Sequence, residues 1–272
     1  MNIISGKRYL LLWILLPVIA IFVYDFRHFI PGGLKWYTTG LTLIVMFFSI
    51  VIHEMSHGIA SYICGDHTAY NAKRLTLNPI EHVSVIGSII LPIILYITKA
   101  PAVIGWAKPI PLDPVKLRVF PRDQIFSVLA GPVSNLILAY LSFIGLIVCG
   151  LIFIHINPGI PVPSIMSIFE PQEIENVTYQ GFWYVLFHML NAGLLINISL
   201  GVFNLVPFPP LDGFWLFKTV FPQKIVAFLT KIQIWGFFLI IIAVQFNFFS
   251  IFVYPIILLL GSVSSILSFL LR

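Results

Sequence analysis

His53-Glu54-Met55-Ser56-His57 places two imidazoles four residues apart with a carboxylate between them. On a helix, positions i and i+4 share one face with Cβ atoms about 5–6 Å apart, so both rings can reach a single ion. Glu54 projects beside that ion and can take a proton from its bound water. The preceding residues, Leu41 to Ile52, are almost entirely apolar. A charged side chain at the centre of a membrane helix costs about 2.5–3.5 kcal/mol on insertion scales, and a bound metal offsets that cost. The five-residue pattern is short, and the plain alternative is a pair of pore-lining histidines with a structural Glu.

A third ligand has one source late in the chain. Asp212 is the only acidic residue after Glu175, and it ends the stretch Asn204-Leu205-Val206-Pro207-Phe208-Pro209-Pro210-Leu211-Asp212-Gly213. Three prolines preclude a continuous helix, and unwound backbone near a membrane is tolerated where it is buried in protein or lines a wet cavity. Such a loop can turn Asp212 back toward His53 and His57. Two histidines and one carboxylate leave the fourth tetrahedral position for water, as in a catalytic zinc site. Asn204 can offer its amide to a developing oxyanion. Otherwise Asp212 serves only an Asp-Gly turn.

The elements that must position these residues are membrane helices. Hydrophobic residues make up 59% of the 272 and charged residues 9%, against about 25% charged in a soluble protein. The reading is an all-α polytopic membrane protein with about five to six transmembrane helices. Apolar segments cover 9–24, 38–64, 83–97, 125–156, 182–206 and 234–270, against the roughly 20 residues a span needs. The first is read as a retained span, because Ile21-Phe22-Val23 continue past any cleavage site. The 83–97 segment is too short to cross. With it re-entrant, 12 Lys and Arg fall on the cytoplasmic side and only Arg27 and Lys35 outside, Arg272 being undecided, which obeys the positive-inside rule. His53 and His57 then lie about 10 to 16 Å below the cytoplasmic end of their helix. The basic excess sits in loops and does not imply nucleic acid. Cys64 and Cys149 match no disulfide framework or metal spacing.

These stretches resemble the site-2 protease family of intramembrane zinc metalloproteases. The matching blocks are Val51 to Gly58, Arg74-Leu75-Thr76-Leu77-Asn78-Pro79, Gly87 to Pro92, Gly105 to Pro111, Ala130-Gly131-Pro132-Val133-Ser134-Asn135, and Phe203-Asn204 through Asp212-Gly213. They occur in the family's order over about residues 45–215. The resemblance implies that His53, His57 and Asp212 hold one zinc, that Glu54 is the general base, and that Asn204 binds the scissile peptide or its oxyanion. It implies a three-helix core and cleavage in or next to a substrate's transmembrane segment. The lipid bilayer and a transmembrane protein are the expected partners, in a prokaryotic cell (inner) membrane with the N-terminus and site opening cytoplasmic. Relatives often carry an Asp where this chain has Ile80-Glu81-His82-Val83-Ser84-Val85, and the chain leaves no room for a PDZ or CBS domain. The divisions read are an N-terminal span and outer loop (1–37), a metalloprotease core (38–215) and C-terminal membrane segments (216–272).

Gly105 to Pro111 reads as an irregular or edge strand. With 83–97 it forms a membrane-dipping β-hairpin or, equally, an ordinary loop. Gly131-Pro132 is read as opening the long helix at 125–156. Asn135 bonds across helices or approaches the active site, with packing the favoured reading. His82 is left unassigned, and His188 is given an interfacial hydrogen bond. Two rivals are a helix-binding pseudoprotease and a metal-ion carrier. The carrier needs an acidic or His-lined path that the few acidic residues do not supply. A metalloprotease acting on prenylated proteins usually takes a late Glu as its extra ligand, and no Glu follows Glu175.

Overall fold

The computed structural model describes residues 9–23, 33–91, 107–156 and 181–231, with individual residues at 94 and 97 and between 235 and 262. Among them the chain is helical and forms no strand. The α-helices are α1 (Tyr9–Val23), α2 (Gly33–Ile63), α3 (Thr68–Asn71), α4 (Arg122–Ile156), α5 (Phe182–Asn204), α6 (Asp212–Val220) and α7 (Gln223–Lys231).

Among the described residues, three stretches are long and apolar enough to cross a membrane: Tyr37–Ile63, Arg122–Phe153 and Phe182–Asn204. They belong to α2, α4 and α5, which pack on one another as the expected three-helix core. α1 has 15 residues, about 22 Å at 1.5 Å per residue against a hydrocarbon core of about 30 Å. It is tied to the core by Tyr37, whose hydroxyl donates to Ala20 O at 2.6 Å, and by Trp13 Nε1 donating to Leu77 O at 3.0 Å.

α4 shows why the chain needs lipid. Along one face it leaves Val133, Ile137, Leu141, Ile144, Val148 and Ile152 exposed, while Asn135, Ala139, Phe143, Leu146 and Phe153 are buried. Both sets recur at three- and four-residue spacing, so they form two stripes of one helix. An apolar stripe of that length would be an aggregation surface in water; against acyl chains it costs nothing.

Two expectations about local structure are corrected. Gly131-Pro132 does not open the long helix. α4 begins at Arg122 and carries Pro132 inside it. Its start is set by Asp123, whose carboxylate accepts from Val119 N at 2.9 Å and from Arg122 Nε at 2.9 Å, an acidic group suited to a helix N-terminus. The 83–97 segment, expected as an arm of a β-hairpin, forms a π-helical turn at Val85–Ile90. The cause is a local cap. Ser84 Oγ accepts from Gly87 N at 3.2 Å and Ser88 Oγ accepts from Ser84 N at 3.0 Å, a reciprocal pairing that favours helix over strand. Residues 98–106, the hairpin's expected tip, lie outside the described residues. From Ala107 to Asp113 the chain is irregular.

Candidate metal centre

α2 buries His53, His57 and Ala60 along one face, while Val51 and Met55 pack against Trp13 on another. Asp212 reaches them by the route the prolines dictate. α5 stops at Asn204, the chain turns through Phe208 N to Val206 O at 2.7 Å and Leu211 N to Phe208 O at 2.9 Å, and α6 starts at Asp212. Gly213 permits the turn, since a Cβ there would collide with the carbonyl oxygens of Leu205 and Val206.

The three predicted ligands converge. Asp212 Oδ2 lies 3.0 Å from His53 Nε2 and 3.2 Å from His57 Nε2, and the two Nε2 atoms are 3.1 Å apart. Zinc bonds of about 2.0–2.1 Å set tetrahedral ligand atoms about 3.3–3.4 Å apart, so the cluster is a few tenths tighter than that frame. The tautomers fit a cation as well. His57 Nδ1 is 2.7 Å from Ser127 O, which can only accept. Its proton therefore sits on Nδ1, and Nε2 offers a lone pair. His53 Nδ1 faces Asn135 Oδ1 and is set the same way. With both rings neutral, two nitrogen lone pairs and a carboxylate oxygen converge on one point, an arrangement that a bound metal ion satisfies. No other group of three or more His, Cys, Asp or Glu side chains with this spacing occurs among the described residues.

α4 closes the opposite wall. A Cβ on Gly131 would overlap His57 Nε2 and sit 2.8 Å from His53 Cε1. Gly131 therefore keeps the space beside the ligand atoms open. Gly131→Ala is expected to displace both rings at a cost of about 1–3 kcal/mol, roughly 10- to 100-fold in metal affinity. Zinc titration against a chromophoric chelator checks this, and an unchanged affinity would show that the rings have slack.

Glu54 is half-buried on the next position of α2. Its Oε2 accepts from Ile110 N at 2.9 Å. Ile110 stands between Pro109 and Pro111, neither of which has an N–H, so the loop offers one donor at this place and Glu54 takes it. The loop is held from outside: Lys108 N donates to His82 O at 2.8 Å, Arg74 Nη2 to Lys108 O at 2.9 Å, and Asp113 N to Asp66 Oδ2 at 2.7 Å. Burial works to raise the pKa of Asp66, but N–H donors from Asp113 and Thr68 hold it below the ordinary carboxylate range. His82 is buried, its pKa lowered by that burial, and its Nε2 donates to Thr76 O at 2.8 Å.

Asn204, predicted to reach the reacting carbonyl, donates from Nδ2 to Leu200 O of its own helix at 3.0 Å. His188 meets Thr42 Oγ1 of α2 at 3.1 Å, a contact between two core helices. Sequence reasoning missed the Ser127 carbonyl, the Ile110 N–H and the space at Gly131. For Asn135 it favoured packing over an approach to the site, and the structure shows both an interhelical bond and a contact with His53.

Comparison with known proteins decides the family. The Bacillus subtilis protein named "Putative zinc metalloprotease YwhC" is 33% identical over 205 residues, covering 74% of this chain and 77% of the relative. Residues 117–244 match the model of Peptidase family M50. The chain belongs to peptidase family M50, the site-2 protease family. The matched M50 segment contains Gly131, Asn135 and Asp212 but begins after the two histidines. A second relative, "Putative zinc metalloprotease Rip2" of Mycolicibacterium smegmatis, is 24% identical over 194 residues, or 71% of this chain and 62% of that protein. No solved structure matches. Family M50 membership and the three apolar helices make the chain a membrane peptidase.

Proposed function

We propose that this M50 peptidase is a site-2-type zinc endopeptidase that hydrolyses a peptide bond in or next to a transmembrane segment of a membrane protein. The observation that carries the reading is the convergence of His53, His57 and Asp212 on one point, with the Glu54 carboxylate on the same helix. The names of both relatives agree with zinc as the metal. A zinc held by these three groups polarises a carbonyl and brings the pKa of its water toward 7.

The chain's own residues supply the rest. Glu54, anchored on one oxygen by Ile110, accepts a proton on the other and returns it to the leaving amine. His53 and His57 keep their Nε2 lone pairs directed inward through their Nδ1 hydrogen bonds. Asn204 can bind the oxyanion once its amide turns away from Leu200. A substrate helix hides its carbonyls in hydrogen bonds to the residues four ahead, so it must unwind before attack. Substrates with helix-weakening residues near the cut are therefore favoured. The distribution of Lys and Arg supports a cytoplasmic opening, in a prokaryotic cell membrane.

The test compares membranes from cells making the wild-type chain with those making Glu54→Gln, by sequencing new peptide termini. New termini inside or beside single-pass transmembrane segments, present only with wild type, are the expected result. Identical patterns would contradict the protease reading. In the purified system 1,10-phenanthroline is expected to abolish cleavage and added zinc to restore it. Cleavage that survives full zinc removal would exclude the metal from the reaction.

A further inference from the structure

Behind His53 lies a buried polar chain that joins all three core helices. Asn135 on α4 and Ser49 on α2 are 0% exposed, and Asn197 on α5 is 2% exposed. Asn135 Nδ2 donates to Asn197 Oδ1 at 2.8 Å and approaches Ser49 O at 3.4 Å. Asn197 Nδ2 donates to Gly193 O at 2.7 Å and to Ser49 Oγ at 2.9 Å. Ser49 Oγ in turn donates to Val45 O at 2.9 Å.

The direction of every bond in this chain follows from its far end. A backbone carbonyl only accepts. The Asn197 atom beside Gly193 O must therefore be its nitrogen, which leaves its oxygen facing Asn135. The Asn135 atom between that oxygen and Ser49 O must also be nitrogen. Its remaining atom, Oδ1, is then an acceptor, and it is the one that faces His53 Nδ1. An acceptor at Nδ1 requires the proton there. In the neutral ring that binds a metal, the other nitrogen, Nε2, then has its lone pair directed to the side where Asp212 lies.

We infer that Asn135 is a positioning residue for the metal site, its Oδ1 holding His53 with Nδ1 protonated and Nε2 directed inward, while Asn197 and Ser49 hold the Asn135 amide in that orientation. This deepens the zinc reading of His53 and rests on it. The partner of a metal-bound histidine's second nitrogen sets ring orientation and basicity, and its loss typically costs about 10–100-fold in metal affinity. A neutral amide does here, inside the membrane, what a carboxylate does in many soluble sites, without adding a buried charge. A packing role alone needs interhelical hydrogen bonds but sets no requirement on which amide atom faces the ring.

The test measures zinc affinity of the full-length, detergent-purified chain by competition with a chromophoric chelator, and the visible spectrum of its cobalt-substituted form. Asn135→Leu, which removes the acceptor at similar volume, is expected to lose about 10–100-fold in zinc affinity and to alter the cobalt bands. Asn135→Asp, which keeps an oxygen toward Nδ1 but gives up the amide donor to Asn197, is expected to lose clearly less zinc affinity than Asn135→Leu. Asn197→Leu, one bond further out, is expected to show a smaller loss, and it carries the test if Asn135→Leu does not fold. Wild-type affinity and spectrum in folded Asn135→Leu would overturn the inference and leave the zinc reading standing. Equal losses in Asn135→Leu and Asn135→Asp would overturn it in favour of packing. A wild-type chain that binds no zinc would overturn the zinc reading and this inference together.

Discussion

Glu54→Gln is expected to retain about one zinc per chain and to lose about 10²–10⁴-fold in kcat, the usual contribution of a positioned general base. The geometry makes this variant unusually informative. Ile110 N–H donates to Glu54 Oε2 at 2.9 Å. In the glutamine variant the atom facing that N–H must be the amide oxygen, so the NH₂ group takes the place of the other carboxylate oxygen. That face of the side chain then carries two donor hydrogens where the wild type has a proton acceptor. Size and anchoring are unchanged, and only the ability to take a proton is lost. Wild-type turnover by the zinc-loaded variant would contradict the base role. Loss of zinc would place Glu54 among the ligands instead.

Asp212→Ala is expected to reduce zinc from about one per chain to near zero after size exclusion in detergent, since two imidazoles remain where a catalytic site needs three protein ligands. The effect is not a general collapse. Asp212 has its polar partners in the two histidines, and the packing of its neighbourhood comes from Leu211 and Phe214, both buried. Helix content by circular dichroism is therefore expected to match wild type while zinc falls. Zinc content unaffected by the substitution would remove Asp212 from the site and leave the proline-rich turn as its only role.

What could be read from the sequence was whatever a single segment states about itself. α2, α4 and α5 are long apolar runs, and each was placed to within a few residues. His53 and His57 announce themselves by helical spacing, and Asp212 by being the last acidic residue in a chain poor in charge. Their meeting at 3.0–3.2 Å needed only the prolines that force a turn before α6. The rest was hidden for two physical reasons. Backbone atoms have no letter: the Ser127 carbonyl under His57 and the Ile110 N–H under Glu54 exist only once remote segments pack. Small local caps also outweigh composition. Ser84 and Ser88 close a helical turn on a β-branched stretch that looked like a strand. Pro132, taken for a helix start, sits inside α4 instead. Asn135 shows the same limit from the other side. Its interhelical bond to Asn197 was foreseeable, but the second bond, to His53, depends on how α4 is rotated against α2.

Zinc-edge X-ray absorption on the detergent-purified chain tests the ligand set most directly. The expected first shell contains only nitrogen and oxygen at about 2.0–2.2 Å, with outer-shell scattering from two imidazoles contributed by His53 and His57. A sulfur scatterer at about 2.3 Å, which would bring in Cys64 or Cys149, or a shell with fewer than two imidazoles, would contradict the site described here.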